Sequence, residues 1–238
     1  MPDMETVEEL SQPRARGGYA VWGGSYAEAE VRFVGRGPGG NREEVLARVD
    51  PEAPAVAWAR QVHSAAVLPA ASGECGTGDA LWTAGTGLAL SIATADCVPV
   101  LLAGPEGIAA VHAGWRGLAS GVIPRTLETV ERSLGADRAQ WSGWCGWIGP
   151  AIGACCYEVG EEVASAVAAA SAPEVVVHGA AGKPHLDLAA AALAQLRAAG
   201  VGSIRRVLAC TRCDEARLWS YRREGKGAGR NVAFIWRR

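Results

Sequence analysis

The chain has 238 residues, of which 49% are hydrophobic and 20% are charged, as in an ordinary globular protein. The 23 basic and 25 acidic residues give a formal net charge of -2, so no overall field favours nucleic acid or a membrane surface as a partner. No apolar run approaches the roughly 20 residues of a membrane span, and the N-terminus lacks a signal-peptide pattern, so we expect a cytoplasmic protein. The seven cysteines, an odd number, indicate reduced thiols or metal binding more than a disulfide framework.

The first part of the chain predicts strands interrupted by one helix. Asn41 is predicted to cap a helix over Arg42–Val49, with Glu44 at the third helical position, as in a capping box. The glycine-rich connection at residues 72–79 is expected to be a loop. Strands are predicted at residues 19–22, 30–34, 55–62 and 65–69.

The stretch from residue 78 to residue 117 places polar side chains among strand-like apolar runs. The runs cover residues 88–93, 98–103 and 108–111, and the Gly-Pro-Glu-Gly connection between the last two favours a hairpin. Burying charged or thiol groups is costly unless each is paired or ligated. We therefore look for a functional site here first. The polar groups concerned are Asp79, Asp96, Cys97, His112 and Arg116.

The rest of the chain alternates helices and strands without a strict strand–helix–strand rhythm. This order favours an α/β or α+β fold in which a mixed β-sheet is flanked by helices. We expect residues 1–16 to form a flexible leader and residues 17–238 to form a single domain. Helices are predicted at residues 120–134, 161–170 and 188–199, and strands at residues 141–148, 174–177, 203–209 and 232–236.

His63, Cys97 and His112 are candidate metal ligands, because each lies at or near the end of a strand-like run. Three ligands that converge from separate strands, with a fourth position open, are what a catalytic zinc ion needs. Their spacing is too long for a local zinc knuckle, so a core cysteine with two hydrogen-bonded histidines remains the alternative. Type-1 copper also uses two histidines and a cysteine, usually with an axial methionine. The only methionines are Met1 and Met4, and there are only four histidines, so redox copper is disfavoured, although copper can occupy a zinc site in vitro.

Five arginines are candidate anion ligands, because a guanidinium group binds phosphate or carboxylate at two points. Arg116 directly precedes a predicted helix N-terminus, which is a natural anion pocket. Arg60 lies just before the first candidate metal ligand. A solvated surface is the alternative for the arginines of the tail, Arg222, Arg223 and Arg230.

Two further features allow more than one interpretation. Asp96 adjoins a candidate metal ligand and is either a general acid/base, an orienting residue or a cap at the break between two strands. Cys210 and Cys213 form a lone C-x-x-C pair, which can be half a zinc site or a redox pair. Because the chain has no second C-x-x-C, we expect an ordinary turn there and a structural role for the adjacent Cys155 and Cys156.

Several motifs follow one another in the order typical of the laccase-domain family, the YfiH-like group. They are RQVHS, GDALWT, TADCVPVLL, AAVHAGWRG, IGPAIGACCYEVG, HLDL and SYRREGKGAGR. The chain resembles this family from about residue 16 to its C-terminus, and ADCVPVLL together with HAGWRG is highly specific. Two departures are that YAEAEVRF replaces the family's usual Ser-Leu-Asn-Leu segment and that Ser64 replaces glycine after the first motif histidine.

The resemblance implies one α/β domain with a Zn²⁺ ion held by His63, Cys97 and His112. It also implies a purine nucleoside phosphorylase for adenosine, inosine, guanosine and S-methyl-5'-thioadenosine, with adenosine deaminase activity. A copper-dependent polyphenol oxidase, the older assignment, and a hydrolase that edits cell-wall precursors are the alternatives.

The resemblance and the local chemistry together give a set of predicted roles. The expected partners are small-molecule purine nucleosides and phosphate, with neither nucleic acid nor membrane, and the expected state is a monomer or small homo-oligomer. Catalysis is assigned to Asp96, Arg60 and Arg116. Binding of substrate or phosphate is assigned to Asn41, Arg60, Arg116, Arg222 and Arg230.

Overall fold

The computed structural model describes residues 7–10, 12–135, 138–179 and 182–238. In this part of the chain, two seven-stranded mixed sheets and one two-stranded ribbon form the β structure. The first sheet contains, in spatial order, β1 (Val7–Leu10), β15 (Ser203–Val207), β12 (Cys145–Ile148), β10 (Val98–Gly104), β11 (Gly107–Ala113), β8 (Ala80–Thr83) and β6 (Val67–Pro69). The second contains β2 (Arg14–Arg16), β3 (Tyr19–Tyr26), β4 (Ala29–Val34), β16 (Asn231–Arg237), β9 (Leu88–Thr94), β5 (Ala55–Arg60) and β7 (Gly73–Thr77). The ribbon pairs β13 (Val176–His178) with β14 (Pro184–Leu186).

The helices connect and cover these sheets. Short 3-10 turns lie at Arg138–Gly143, Pro173–Val175 and Gly225–Gly227. The α-helices are α1 (Arg42–Val49), α2 (Trp115–Ala119), α3 (Val122–Leu134), α4 (Glu161–Ala170), α5 (Leu188–Ala198) and α6 (Tyr221–Glu224). None of the helices in the described residues has the length and apolar character that crossing a membrane requires.

Three apolar layers hold the sheets and helices together. The two sheets pack on each other through a core that includes Phe33, Leu101 and Trp147. The other face of the first sheet packs on α2, α3 and α5, and the outer face of the second sheet packs on α1. Because successive strand residues point to opposite faces, β10 supplies one core with Leu101 and the other with Val100. This explains why its sequence is continuously apolar rather than alternating.

The α/β class with helices flanking mixed sheets is confirmed, although there are two large sheets where one was expected. The Asn41-capped helix has the predicted bounds and the predicted capping box. The hairpin is also confirmed, since β10 and β11 are antiparallel from Val98 opposite Ala113 to Gly104 opposite Gly107.

The structure differs from the sequence prediction in the first residues and in the glycine-rich connection. Within the expected leader, β1 and β2 are strands, whereas residues 1–6 and 11 lie outside the described residues. The main chain of β1 pairs with β15, and Glu8 and Glu9 form ion pairs with Arg205 and Arg206. The glycine-rich connection contains β7, a mostly exposed edge strand without the apolar alternation that identifies strands in a sequence.

Two predicted elements are each divided in the structure. The helix expected at residues 120–134 begins earlier as α2 and continues as α3 after Gly121, whose φ of 70° favours glycine. Pro124 lies in the first turn of α3, where its missing N–H costs little. The strand expected at residues 141–148 is a 3-10 turn followed by the shorter β12.

Candidate metal centre and active site

The three predicted metal ligands converge at one end of the two sheets. His63 follows β5, Cys97 precedes β10, and His112 lies on β11 opposite Pro99. The Cys97 Sγ and His63 Nε2 atoms are 3.8 Å apart, and the centroids of the two imidazole rings are 4.9 Å apart. One donor atom from each residue lies within 4.8 Å of the others. The structure therefore assembles a two-nitrogen, one-sulfur donor set.

Asp79 organises two of these ligands from behind. Its carboxylate is fully buried and accepts hydrogen bonds from the backbone N–H groups of His63, at 2.9 Å, and Ser64, at 2.6 Å. The Ser64 hydroxyl donates to the same carboxylate at 2.7 Å. His112 Nδ1 lies 2.8 Å from Asp79 Oδ1, which fixes the ring so that Nε2 is the nitrogen left to bind a metal. This is the carboxylate–histidine arrangement that orients and strengthens metal ligands.

The protonation of the cluster follows from these contacts. Burial by itself would raise the pKa of Asp79, but hydrogen bonds from His112 and Ser64 hold it well below its ordinary value. Burial would also lower the pKa of His112, yet Asp79 and Cys97 raise it to about 9. Burial opposes ionisation of Cys97, but hydrogen bonds with His112 and His63 lower its pKa to about 7. The cluster thus favours a thiolate, which is the form that binds metal.

This donor set fits zinc. Zinc is bound by histidine nitrogen at about 2.1 Å and by thiolate sulfur at about 2.3 Å, usually in a tetrahedron. His112 is buried, Cys97 is half-buried and His63 is exposed, and all three line one cavity. A metal held by these three atoms would therefore keep a side open to the cavity. Gly114 permits the close approach, since a Cβ atom there would lie 2.9 Å from Cys97 Sγ.

Backbone strain marks the same place. His63 and Asp96 are non-glycine residues with φ values of 62° and 93°. Such left-handed conformations cost free energy and persist where the surrounding structure imposes them, often at functional sites. At His63 the imposing contact is the Asp79 carboxylate, which accepts hydrogen bonds from three consecutive backbone N–H groups beginning at Val62.

The cavity in front of the donor set has a volume of about 580 Å³. This lies within the roughly 300–1,000 Å³ typical of small-molecule sites. Positively charged and aromatic side chains surround the donor atoms, a combination suited to a planar, anionic or phosphate-bearing ligand. The arginines are Arg42, Arg60, Arg116, Arg222 and Arg230, and the aromatic residues are Trp58, Trp115, Tyr157 and Tyr221.

Four of the predicted anion ligands thus line the cavity, but they are held differently. Arg60 donates to Thr77 Oγ1 at 2.6 Å, which ties it to β7. Arg116 lies near the N-terminus of α2 with its guanidinium 4.4 Å from the Trp115 ring centroid. Arg222 lies 4.9 Å from the Tyr157 ring centroid, and Arg230 donates to nearby backbone carbonyls. Arg223, the fifth candidate, instead donates hydrogen bonds to the backbone carbonyls of residues 211 and 212.

Asp96 is buried and both of its carboxylate oxygens are engaged. Oδ1 accepts from the Thr211 hydroxyl at 2.6 Å, and Oδ2 accepts from the backbone N–H of Arg222 at 2.7 Å. Asp96 therefore fixes the start of α6, where one of the cavity arginines lies. Its role as a general acid/base remains a prediction.

Asn41 is held as the cap of α1. Its side-chain oxygen accepts from the Glu44 N–H at 2.9 Å. Together with Trp58 and Arg230 it lines a neighbouring cavity of about 470 Å³, and it is not in the lining of the cavity in front of the donor set. A substrate contact from Asn41 remains a prediction.

Several residues of the site were not among the predicted ones. Gln61 bridges to β9, donating to the Ala93 carbonyl at 2.8 Å and accepting from the Ala93 N–H at 2.9 Å, which fixes the chain just before the first metal ligand. Tyr157 follows the two adjacent cysteines and forms part of the cavity wall. Asp79 had been singled out among the polar groups of residues 78–117 but without a role, and Gln61 and Tyr157 lie within the motifs RQVHS and IGPAIGACCYEVG, where they also had no predicted role.

Comparisons with known proteins agree with this architecture. A family model described as "Multi-copper polyphenol oxidoreductase laccase" matches residues 39–238. The crystal structure of YlmD from Geobacillus stearothermophilus is 28% identical, with a TM-score of 0.83 over 96% of this chain and 99% of that one. A Streptomyces coelicolor protein named purine nucleoside phosphorylase SCO2081 is 40% identical over 229 residues, 90% of this chain and 92% of its own. Adenosine deaminase RL5, from an unknown prokaryotic organism, is 40% identical over 168 residues, 67% of this chain and 62% of its own.

The fold and the site define an α/β protein with a histidine–cysteine–histidine donor set beside a basic, aromatic cavity. The chain belongs to the multi-copper polyphenol oxidoreductase laccase family. This confirms the resemblance drawn from the sequence motifs.

Proposed function

We propose that the chain is a zinc-dependent purine nucleoside phosphorylase with adenosine deaminase activity. The observation that carries the proposal is the donor set of His63, Cys97 and His112, open to a cavity lined by arginines and aromatic rings. Two relatives at 40% identity, one named purine nucleoside phosphorylase and the other adenosine deaminase, support the substrate class. The proposed substrates are adenosine, inosine, guanosine and S-methyl-5'-thioadenosine, together with phosphate.

The chemistry of phosphorolysis matches the charges in the cavity. A phosphate oxygen forms a bond to C1' of the ribose, the bond from C1' to purine N9 breaks, and the leaving base takes the electron pair and a proton. Arg60 and Arg116 would bind the phosphate through paired N–H groups, and Arg222, which also lines the cavity, would add positive charge. Trp115 and Tyr157 provide flat surfaces for the base. Zinc, when bound, supplies a Lewis acid for an oxygen of phosphate or water.

The protein's own groups set the geometry for this reaction. Asp79 keeps the His112 ring in one orientation and holds the loop of His63 and Ser64. Asp96 keeps Arg222 at the cavity edge through the backbone hydrogen bond at the start of α6. The hydrogen bonds of Asp96 support a role in positioning Arg222. Direct proton transfer to or from the substrate by Asp96 is the alternative.

Deamination is proposed as a second activity of the same site. Water oxygen replaces the amino group at C6 of adenosine, and ammonia leaves. Phosphate takes no part, so this reaction needs the metal ligands but not the phosphate-binding arginines. We also propose a cytoplasmic location, since none of the seven cysteines is paired in a disulfide, as is usual in a reducing compartment.

Polyphenol oxidation by copper is the alternative that the family description names. The site offers two histidines and one cysteine, and the whole sequence holds four histidines, which is few for a multicopper centre. Editing of cell-wall precursors would require a larger, branched substrate to enter the same cavity. Zinc-dependent nucleoside chemistry fits the donor set and the arginines better than either.

The test uses zinc-replete protein with inosine, which lacks the amino group that deamination removes. We expect hypoxanthine release that requires phosphate and is lost in His112→Ala. The matched control is His178→Ala, because His178 is an exposed histidine on β13 away from the cavity lining. The proposal is overturned if the wild-type protein releases no base, or if the His112→Ala variant releases it at the wild-type rate.

A further inference from the structure

Four cysteines from two distant segments meet beside the active site. Cys155 and Cys156 lie in the turn after β12, and Cys210 and Cys213 lie in the turn after β15. Cys213 Sγ lies 3.3 Å from Cys156 Sγ and 3.7 Å from Cys155 Sγ. All four sulfur atoms lie within 4.8 Å of one another. Residues 211–213 form the expected turn, and the adjacent cysteine pair brings two further sulfur atoms to it.

The separations match a tetrahedral metal site. Zinc–thiolate bonds of about 2.3 Å place neighbouring sulfur atoms of a tetrahedron about 3.8 Å apart. A disulfide instead requires about 2.05 Å between two sulfur atoms. Cys213 has two sulfur neighbours at nearly equal distance, so no single disulfide pairing is selected by geometry. Four sulfur donors in one compact cluster are typical of zinc or an iron–sulfur centre.

Backbone N–H groups support a thiolate at one of the four cysteines, Cys210. The Gly153 N–H donates to Cys210 Sγ at 3.3 Å, and the N–H groups of Arg212 and Cys213 also point to this sulfur. Such N–H groups stabilise the negative charge of a ligating thiolate and orient it. Gly153 also allows the two segments to approach, because a Cβ atom there would lie 3.3 Å from Cys155 Sγ and 3.5 Å from Cys210 Cβ.

Both turns are held in place by side chains outside the cluster. Thr211 and Arg212 lie between the two cysteines of the C-x-x-C turn. The Arg223 guanidinium donates a hydrogen bond of 2.8 Å to the backbone carbonyl of each. His185 Nδ1 lies 2.6 Å from the carbonyl of Ala154, just before the adjacent pair. The cluster is thus positioned by contacts that do not depend on a metal.

We propose that Cys155, Cys156, Cys210 and Cys213 bind a second zinc ion as a closed, structural site. Four thiols each lose a proton on binding, and the four sulfur atoms fill a tetrahedron, leaving no position for substrate. This site is separate from the three-donor site and does not depend on the proposed function. The intact, reduced protein would then hold two zinc ions per chain.

The four-cysteine cluster lies next to residues that form part of the cavity wall, so a second zinc would also stabilise that wall. Tyr157 directly follows Cys156 and lines the cavity, with Arg222 against its ring. Thr211, inside the C-x-x-C turn, donates to Asp96. Zinc would therefore join the two segments that carry this wall of the cavity.

The experiment isolates the four-cysteine cluster by removing the histidines of the other site. The His63→Ala/His112→Ala variant is reduced, stripped of metal and titrated anaerobically with Co²⁺ and then Zn²⁺. We expect one equivalent of Co²⁺ with intense sulfur-to-cobalt charge-transfer absorption, which one equivalent of Zn²⁺ abolishes. Adding Cys210→Ser and Cys213→Ser should remove this equivalent. Adding Cys75→Ser, at a free thiol on β7, should retain it.

A second measurement keeps the test independent of the folding of the serine variants. In the His63→Ala/His112→Ala protein, one equivalent of zinc should protect four thiols from alkylation, as counted by intact mass. The proposal is overturned if the folded protein binds no stoichiometric metal, if zinc protects none of the four cysteines, or if the cluster stays oxidised to a disulfide under reducing conditions.

Discussion

The protein contains two candidate metal sites that are equally compact but differently built. In each, one donor atom per residue lies within 4.8 Å of the others. His63, Cys97 and His112 offer three donors, a buried carboxylate behind them and a cavity in front. The four-cysteine cluster offers a complete set of sulfur donors, supported by backbone N–H groups. An open fourth coordination position, more than the identity of the metal, makes a site suitable for catalysis.

The largest expected effect comes from Cys97→Ser. A hydroxyl is a much weaker zinc ligand than a thiolate, so we expect loss of the active-site zinc and of phosphorolysis. The second zinc should remain. Metal content per chain and hypoxanthine release from inosine are the two measurements. Loss of both metal equivalents would show that the two sites depend on each other and would contradict the proposal that they are separate.

The next effect is expected from Asp79→Asn. The amide cannot accept all the hydrogen bonds that the carboxylate accepts, and it weakens the His112 ligand. Removing such an orienting partner typically lowers metal affinity by about 10–100-fold, and we expect this range for the active-site zinc alone. Competition with a chromophoric chelator measures it. Glu28→Gln, which removes the carboxylate of an exposed ion pair with Arg237, is the control and should leave the affinity unchanged.

The pH dependence of zinc binding tests the protonation states of the three-donor site. In the metal-free protein the pKa of His112 is raised to about 9 and that of Cys97 is lowered to about 7, and zinc must displace both protons. The apparent affinity of the three-donor site should therefore fall as the pH drops below 9, by up to about tenfold per unit for one displaced proton, and more steeply below 7. Calorimetric titration of the Cys210→Ser/Cys213→Ser variant across this range measures it. An affinity independent of pH from 9 to 6 would contradict these protonation states.

A smaller effect is expected from Arg116→Ala. Removing this guanidinium from the N-terminal end of α2 should raise the KM for phosphate several-fold, because a charge-assisted contact is lost. Adenosine deamination should change less, since phosphate takes no part in it. Arg125→Ala, an exposed arginine on α3, is the matched control. Equal losses of both activities in Arg116→Ala would indicate a structural role for Arg116 instead.

The sequence predicted the three-donor site better than the cysteine cluster, and the reason is physical. His63, Cys97 and His112 lie at the ends of strands that have clear apolar patterns, and their motifs are specific. The cluster depends on two turns that are far apart in the sequence. Cys213 lies 58 residues after Cys155 and 57 residues after Cys156. The pairing of β12 with β15, continued by the bridge between Ala151 and Cys210, brings these turns together, and this long-range pairing has no local signal.

The same distinction applies to the fold. The capped helix α1 and the β10–β11 hairpin were predictable because their causes lie within a few residues, in a capping box and a short turn. The exposed edge strand β7 and the division of the strands into two sheets were not. Both depend on main-chain pairing between distant segments, which leaves little trace in the local sequence.

A crystal structure of the protein with zinc and phosphate tests the central claim most directly. We predict a zinc ion bound by His63 Nε2, Cys97 Sγ and His112 Nε2, with an oxygen of phosphate or water as the fourth ligand on the cavity side. A fourth ligand from the protein at that zinc, or zinc bound at the four cysteines alone, would contradict it.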